Sequence, residues 1–175
     1  LVVTGGSQGS VTINSTIEAV AADLLGAGWQ ILHIVGNRNP LPASVRPGYV
    51  ALHYCDRMDL AFAAATAVIS RAGAATVSEI QLLGLPAVFV PYPVGNGEQE
   101  KNAGDSLQAG AAVLVGDSDF TPDAVRTTVL PLLNDDAALE RMRARAKGLG
   151  RADAAEAFVQ VMAGALGDPK KGERS

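Results

Sequence analysis

Six short apolar runs recur along the chain: Leu1–Thr4, Gln30–Val35, Tyr49–Tyr54, Ala67–Ser70, Pro86–Val90 and Ala111–Val115. Runs that are apolar at nearly every position suit strands covered on both faces, as in parallel sheets. Between and after them lie segments with apolar residues at helical spacing. Thr12 to Leu25 is the clearest, with Ile13, Ile17, Val20, Ala21, Leu24 and Leu25 on one side and Gly26 and Gly28 ending it. Further helices are expected at Leu60–Ala65, at Thr76–Leu83 and over a segment ending near Ala109. Beyond the sixth run three more are expected, at Pro122–Leu133, Ala137–Lys147 and Ala152–Ala165. Strand–helix alternation builds βαβ units with right-handed crossovers. The expected fold class is therefore α/β, a doubly wound Rossmann-like parallel sheet, with residues 1–165 as one domain and 166–175 as a polar tail that frays.

Composition supports one soluble domain. The chain has 175 residues, 48% of them hydrophobic and 18% charged, enough apolar side chain for a full core. With only 5% aromatic residues, that core must be filled by Val, Leu, Ile and Ala. The formal net charge is -4 and there is no Lys/Arg-rich block, which argues against a nucleic-acid partner. Cys55 is the one cysteine, so an internal disulfide is excluded and a cytosolic setting is expected. No apolar run approaches the ~18 residues of a spanning helix. The chain opens inside a strand pattern without an initiator Met, which reads as a fragment with sequence missing upstream.

In open α/β sheets ligands sit beyond the carboxyl ends of the strands, so the loops that follow the apolar runs carry the functional expectation. The first is Gly5-Gly6-Ser7-Gln8-Gly9-Ser10. Glycines let the backbone turn sharply and approach a ligand, and the following helix start offers free N–H groups and a positive dipole end for phosphate. Ser7 and Ser10 add hydroxyl donors. The loop lacks the Lys of a Walker A sequence and the G-x-G-x-x-G spacing. The second run ends in Gly36-Asn37-Arg38-Asn39, with no carboxylate for an NAD ribose. The second loop is Arg71-Ala72-Gly73-Ala74-Ala75-Thr76-Val77-Ser78-Glu79, a second helix start suited to an anion. Glu79 has two open readings: a ligand for ribose hydroxyls, or the acidic end of a Thr76-x-x-Glu79 capping box. Arg71 is read first as a structural ion-pair partner.

The third segment is Gly95-Asn96-Gly97-Glu98-Gln99-Glu100-Lys101-Asn102. Gln99 and Asn102 are three apart and share a helix face, and amides that both donate and accept match sugar hydroxyls. The fourth is Tyr54-Cys55-Asp56-Arg57-Met58, a possible wall for a flat base; alternatively Asp56 caps a short helix and Cys55 is a small buried residue. His33 and His53 fall inside apparent strands as core or edge residues. One Cys and two His make no zinc set. Asp117-Ser118-Asp119 has the spacing of a metal-binding pair, but its place before a helix favours acidic capping.

Taken together, Gly5-Gly6-Ser7-Gln8-Gly9, Arg71 to Glu79, Gly84-Leu85-Pro86-Ala87 with Val90-Pro91, and Gln99-Glu100-Lys101-Asn102-Ala103 resemble the MurG family of bacterial peptidoglycan glycosyltransferases. The order and spacing match over about residues 1–165, and the match covers only that family's C-terminal domain. The resemblance implies one half of a GT-B enzyme, with the N-terminal acceptor domain absent from the chain. It implies an inverting hexosyltransferase that moves GlcNAc from UDP-GlcNAc to lipid I, forming lipid II at the cytoplasmic membrane face. No cofactor and no D-x-D metal are implied. By the same resemblance, Ser7 contacts the diphosphate, Cys55 lies where the main chain reads the uracil edge, and Ala74, Ala75 and Thr76 line the second phosphate turn. Glu79 binds the ribose hydroxyls and Gln99, with Asn102 nearby, binds the GlcNAc hydroxyls. Gly6, Gln8, Tyr54, Met58 and Arg71 are secondary candidates. Glu98 departs from the His or Gln expected there. The general base is implied to belong to the missing half or to the interface, and the lipid I contacts and peripheral membrane association to the missing half. The alternatives are a non-catalytic nucleotide-binding module and a GT-B enzyme for another UDP-sugar.

Overall fold

The computed structural model describes residues 1–43 and 46–149. Six parallel strands form one sheet: β1 (Val2–Thr4), β2 (Ile31–Ile34), β3 (Tyr49–Leu52), β4 (Val68–Ser70), β5 (Ala87–Phe89) and β6 (Ala112–Leu114). Their spatial order is β3-β2-β1-β4-β5-β6, every neighbouring pair parallel. The doubly wound sheet expected from the apolar runs is therefore observed. Each strand is shorter than its apolar run by one or two residues. His53 and Tyr54, read as strand, lie beyond β3 and are exposed.

The helices divide between the two faces. α1 (Val11–Gly26) buries Ile13, Ile17, Val20, Ala21 and Leu24 on one face, together with Phe120, Val125, Val129, Leu133 and Leu139. α2 (Met58–Ala63), α3 (Ala74–Leu83) and α4 (Glu98–Ala109) cover the other, against Val2, Ile34, Val68, Ala87 and Phe89. The chain then runs through α5 (Pro122–Ala124), a wider π turn over Val125–Val129, α6 (Leu130–Leu133) and α7 (Asp136–Ala146). Pro131 explains the π turn inside the single helix expected at Pro122–Leu133. It has no N–H to give, and its ring crowds the preceding turn, so the ladder widens before it. The helix expected at Ala152–Ala165 and the tail at 166–175 lie outside the described residues. No described helix is long and apolar enough to cross a membrane.

A polar network centred on one histidine runs through this core. His33 on β2 is fully buried; its Nε2 meets Asn14 Oδ1 at 3.0 Å and its Nδ1 meets the Tyr49 hydroxyl at 2.8 Å. Asn14 Nδ2 donates to the Val35 carbonyl at 2.9 Å, which fixes the orientation of the amide. Oδ1 can only accept, so His33 Nε2 carries the proton and Nδ1 accepts from Tyr49. Burial pushes the His33 pKa down to about 4, and burial with the charge of Glu18 pushes Tyr49 up to about 12. The imidazole is thus neutral in the fold while the same group in the unfolded chain titrates near 6.5. Its contribution to stability is complete above pH 6.5 and is lost as pH falls towards 4, because the unfolded chain takes up the proton first. The shift corresponds to about 3 kcal/mol. Urea midpoints measured from pH 7 to pH 4 should fall with this component in the wild-type chain. His33→Gln should be less stable at pH 7 and decline less steeply; parallel declines would contradict the assignment.

Candidate functional site

The strand order reverses between β1 and β4. The chain leaves β1 towards β2 and β3 on one side, and β4 leads to β5 and β6 on the other. A crevice opens beyond the carboxyl ends of two strands that part in this way. The loops that border it, residues 5–10 and 71–73, are the two glycine-containing segments singled out in the sequence.

The first loop is a tight turn. Gly9 N–H donates to the Gly6 carbonyl at 2.9 Å, and Gly6 N–H donates to Thr4 Oγ1 at 3.1 Å. Gly6 and Gly9 both have positive φ, 83° and 76°, which a glycine adopts without penalty. Ser7 and Gln8 therefore form the exposed tip. Neither their N–H groups nor the Ser7 hydroxyl has an acceptor among the described residues. The turn also packs closely on the neighbouring loop: a Cβ on Gly9 would stand 1.9 Å from the Val35 carbonyl oxygen, and one on Gly36 would stand 2.2 Å from Gly9 N.

The two helix N-termini at the crevice are not equivalent. At α1, Ser10 is the cap, and its Oγ accepts from Ile13 N–H at 3.2 Å and from Arg71 Nη2 at 2.7 Å. Ser10 is only 4% exposed, so it is not the ligand donor expected from the sequence. At α3 the cap is Gly73, with no side chain to accept from the first turn. The amides of Ala74, Ala75 and Thr76 are left as orphan donors at the positive end of the helix. α3 begins two residues earlier than expected because Ala74 and Ala75, read as turn residues, are strong helix formers. Thr76 is thus inside the first turn and not a cap, which removes the capping-box reading of Glu79. Glu79 is exposed, and its carboxylate has no hydrogen-bond partner among the described residues.

Arg71 holds the crevice together. Its Nη1 donates to the carbonyls of Val90 (3.0 Å) and Pro91 (2.8 Å), and its Nη2 donates to Ser10 Oγ. Nη1 also forms an ion pair with Asp117 at 2.5 Å. That contact is electrostatic: Asp117 Oδ1 meets no donor in hydrogen-bond geometry, whereas Asp117 Oδ2 accepts from Thr12 Oγ1 at 3.0 Å. The guanidinium lies 5.5 Å from the centre of the Tyr92 ring. The structural role expected for Arg71 is observed, and it extends to the loops after β1, β4, β5 and β6. Asp117 is this ion-pair partner and not an acidic cap; Thr121 caps α5 through Ala124 N–H.

α4 secures the second loop from the other side. Gln99 Oε1 accepts from Ala72 N–H (3.1 Å) and Tyr92 N–H (2.9 Å), while Asn102 Nδ2 donates to the Ala72 carbonyl at 3.0 Å. The shared face expected for Gln99 and Asn102 is therefore observed, and each amide has one end engaged. Gln99 Nε2 and Asn102 Oδ1 have no partner among the described residues. Tyr54, Cys55 and Met58 lie in the loop after β3 and at the start of α2, which packs against α3. Cys55 is half-buried. Asp56 does not cap α2, whose N-terminal flank is Arg57 with no side-chain cap. A cavity lined by Leu1, Trp29, Gly48, Thr66 and Asn134 opens at the opposite, N-terminal end of the strands and contains none of these residues.

Comparison with known proteins gives a consistent neighbourhood. Residues 1–158 match the sequence model of the glycosyltransferase family 28 C-terminal domain. The chain is 49% identical over 162 residues to the UDP-N-acetylglucosamine--N-acetylmuramyl-(pentapeptide) pyrophosphoryl-undecaprenol N-acetylglucosamine transferase of Leifsonia xyli subsp. xyli, covering 93% of this chain and 45% of that relative. It is 50% identical over 165 residues to the transferase of the same name from Mycolicibacterium smegmatis, covering 92% and 43%. The chain thus spans less than half the length of these curated relatives. Among solved structures, Acinetobacter baumannii MurG superposes with a TM-score of 0.75 at 26% identity, covering 91% of this chain and 48% of that one. The calicheamicin glycosyltransferase CalG4 superposes at 0.72 with 20% identity, covering 95% and 44%, a likeness of fold.

Arg71→Ala would leave Asp117 unpaired and mostly buried, and should destabilise the chain by about 3–5 kcal/mol. Arg71→Ala combined with Asp117→Ala should cost clearly less than the two single changes summed. Urea denaturation of the three variants checks this; strict additivity would show that the pair is not the link between the loops.

Proposed function

The chain belongs to the glycosyltransferase family 28 C-terminal domains, and from that premise we propose that it is the donor-binding half of an inverting N-acetylglucosaminyltransferase. The donor is UDP-GlcNAc and the acceptor is lipid I, in keeping with the name carried by relatives 49% and 50% identical to it. The observation that carries the reading is the pairing, across the β1/β4 crevice, of an exposed glycine turn with an uncapped helix start. A single helix end suits one anion; two facing donor sets suit a diphosphate.

In this reading the tip Gly6-Ser7-Gln8 and the first-turn amides of Ala74, Ala75 and Thr76 hold the two phosphates. Glu79 stands one turn further along α3, and its free carboxylate accepts from both ribose hydroxyls. The main chain at Cys55 reads the uracil edge, with Tyr54 and Met58 as the adjoining wall. Gln99 Nε2 and Asn102 Oδ1, the unengaged ends of two amides already fixed on Ala72, face the GlcNAc hydroxyls as donor and acceptor. Arg71 supports this arrangement without touching the donor.

The reaction follows from where charge develops. An acceptor hydroxyl forms a new bond to the anomeric carbon, the bond from that carbon to the diphosphate oxygen breaks, and UDP departs with the electron pair. Configuration inverts because attack and departure lie on opposite faces. Negative charge grows on the diphosphate, where the α3 amides and the turn-tip N–H groups are already oriented; such preorganised donors stabilise a leaving group without reorganisation. The general base, the acceptor contacts and attachment to the cytoplasmic membrane face are assigned to the remainder of the full-length enzyme. So is the second domain of the GT-B pair.

UDP-GlcNAc at millimolar concentration should raise the melting temperature of the 175-residue chain, and NAD should not; a flat response to UDP-GlcNAc counts against the assignment. Glu79→Ala should lose about 1.5–3 kcal/mol of donor binding, the range of a hydrogen bond to a charged group. Replacing ribose by 2′-deoxyribose should then cost the variant little more. Equal sensitivity to the 2′-hydroxyl in wild type and variant would remove Glu79 from the ribose.

A further inference from the structure

The turn tip Ser7–Gln8 is aimed from behind, and one side chain does much of the aiming. The Ser7 carbonyl accepts from Asn37 N–H at 3.2 Å. In a trans peptide the N–H points opposite to the C=O, so this bond turns the Gln8 N–H away from the 36–39 loop and outward at the tip. The next carbonyl, that of Gln8, accepts from Asn39 Nδ2 at 2.9 Å. The same Nδ2 donates to the Val35 carbonyl, also at 2.9 Å. A primary amide has two N–H hydrogens, and here both are spent, one on the tip and one on the end of β2.

The far end of this clamp is rigid. The Val35 carbonyl receives a second donor, Asn14 Nδ2, and Asn14 is itself held by buried His33. Asn39 is therefore a bracket between a fixed point in the core and a two-residue tip that makes no other hydrogen bond to a side chain among the described residues. Asn39 belongs to none of the segments that the family resemblance singled out, and it lies on the side of the turn away from the crevice.

We propose that Asn39 is a positioning residue for the diphosphate: by holding the Gln8–Gly9 peptide, whose N–H closes the turn onto the Gly6 carbonyl, it fixes the turn from which the Ser7 and Gln8 N–H groups face the phosphates. The proposal rests on the reading of this loop as a phosphate turn. Removing the bracket leaves the base and ribose contacts at Cys55 and Glu79 intact, so the loss is confined to the phosphate part of the ligand. A merely structural role would weaken every ligand alike.

The experiment measures binding of UDP and of uridine to the 175-residue chain by calorimetry or ligand-observed NMR. The variants are Asn39→Ala, Asn39→Asp and Asn14→Ser. Asn39→Asp keeps the shape but turns an acceptor towards two carbonyls, so it should not rescue. Both Asn39 variants should bind UDP about tenfold more weakly, the equivalent of one lost hydrogen bond, with uridine binding unchanged. Asn14→Ser, which disturbs the core end of the clamp but does not touch the Gln8 carbonyl, should lower the melting temperature and leave the UDP-to-uridine ratio as in wild type. Wild-type UDP affinity in Asn39→Ala, or a parallel loss of UDP and uridine, overturns the proposal. Failure of the wild-type chain to bind UDP at all overturns the phosphate reading itself, and is told apart by its appearance before any substitution.

Discussion

The guanidinium of Arg71 is the constraint on which the crevice depends. Main-chain bonds from the Arg71, Val90 and Val115 N–H groups end the sheet ladder at the first residue of their loops, and beyond them the ladder does not join the loops after β1, β4, β5 and β6. Arg71 supplies the join: Ser10 from the first, its own backbone from the second, Val90 and Pro91 from the third, Asp117 from the fourth. Only a planar fork with five donors can meet partners arriving from so many directions. The charge is matched by Asp117, so the node is close to neutral, while the backbone amides at the start of α3 have no side-chain cap.

That division of labour explains the contrast between the two helix starts. α1 is closed by Ser10, whose oxygen also serves Arg71, and its end is a structural joint. α3 is left open by Gly73, which has no side chain to offer. The same separation recurs within Gln99 and Asn102, where one end of each amide ties Ala72 and the other end has no partner among the described residues. Engaged and free groups are thus divided between atoms of the same side chains.

Much of this was legible in the sequence. Buried strands between helical segments specify a parallel sheet through apolar periodicity alone, and the glycine loops specify turns because few other residues tolerate positive φ. What escaped was tertiary pairing. The run Ala72-Gly73-Ala74-Ala75 reads as a turn of small residues, yet helix propensity carries α3 back to Ala74, and that shift frees Glu79 from a capping role. Asp117 reads as a cap or half of a metal pair because nothing local announces Arg71, 46 positions away in the chain. Asn39 gave no signal, since an Asn in a Pro/Asn-rich loop is expected as a turn former. The candidate site was therefore legible as a set of loops, and the contacts that fix those loops were not.

The meeting of Gly9 and Gly36 has a consequence for how this chain can vary. A Cβ on Gly36 would collide with Gly9, a Cβ on Gly9 would collide with the Val35 carbonyl beside Gly36, and both stand in a backbone region closed to most residues. Neither can be exchanged alone, and exchanging both at once would collide twice. Both positions are closed to other residues, so variation in this part of the protein is left to the exposed tip Ser7–Gln8 that precedes Gly9. Diversity is channelled into the exposed tip, while the two glycines beneath it stay at a single residue type.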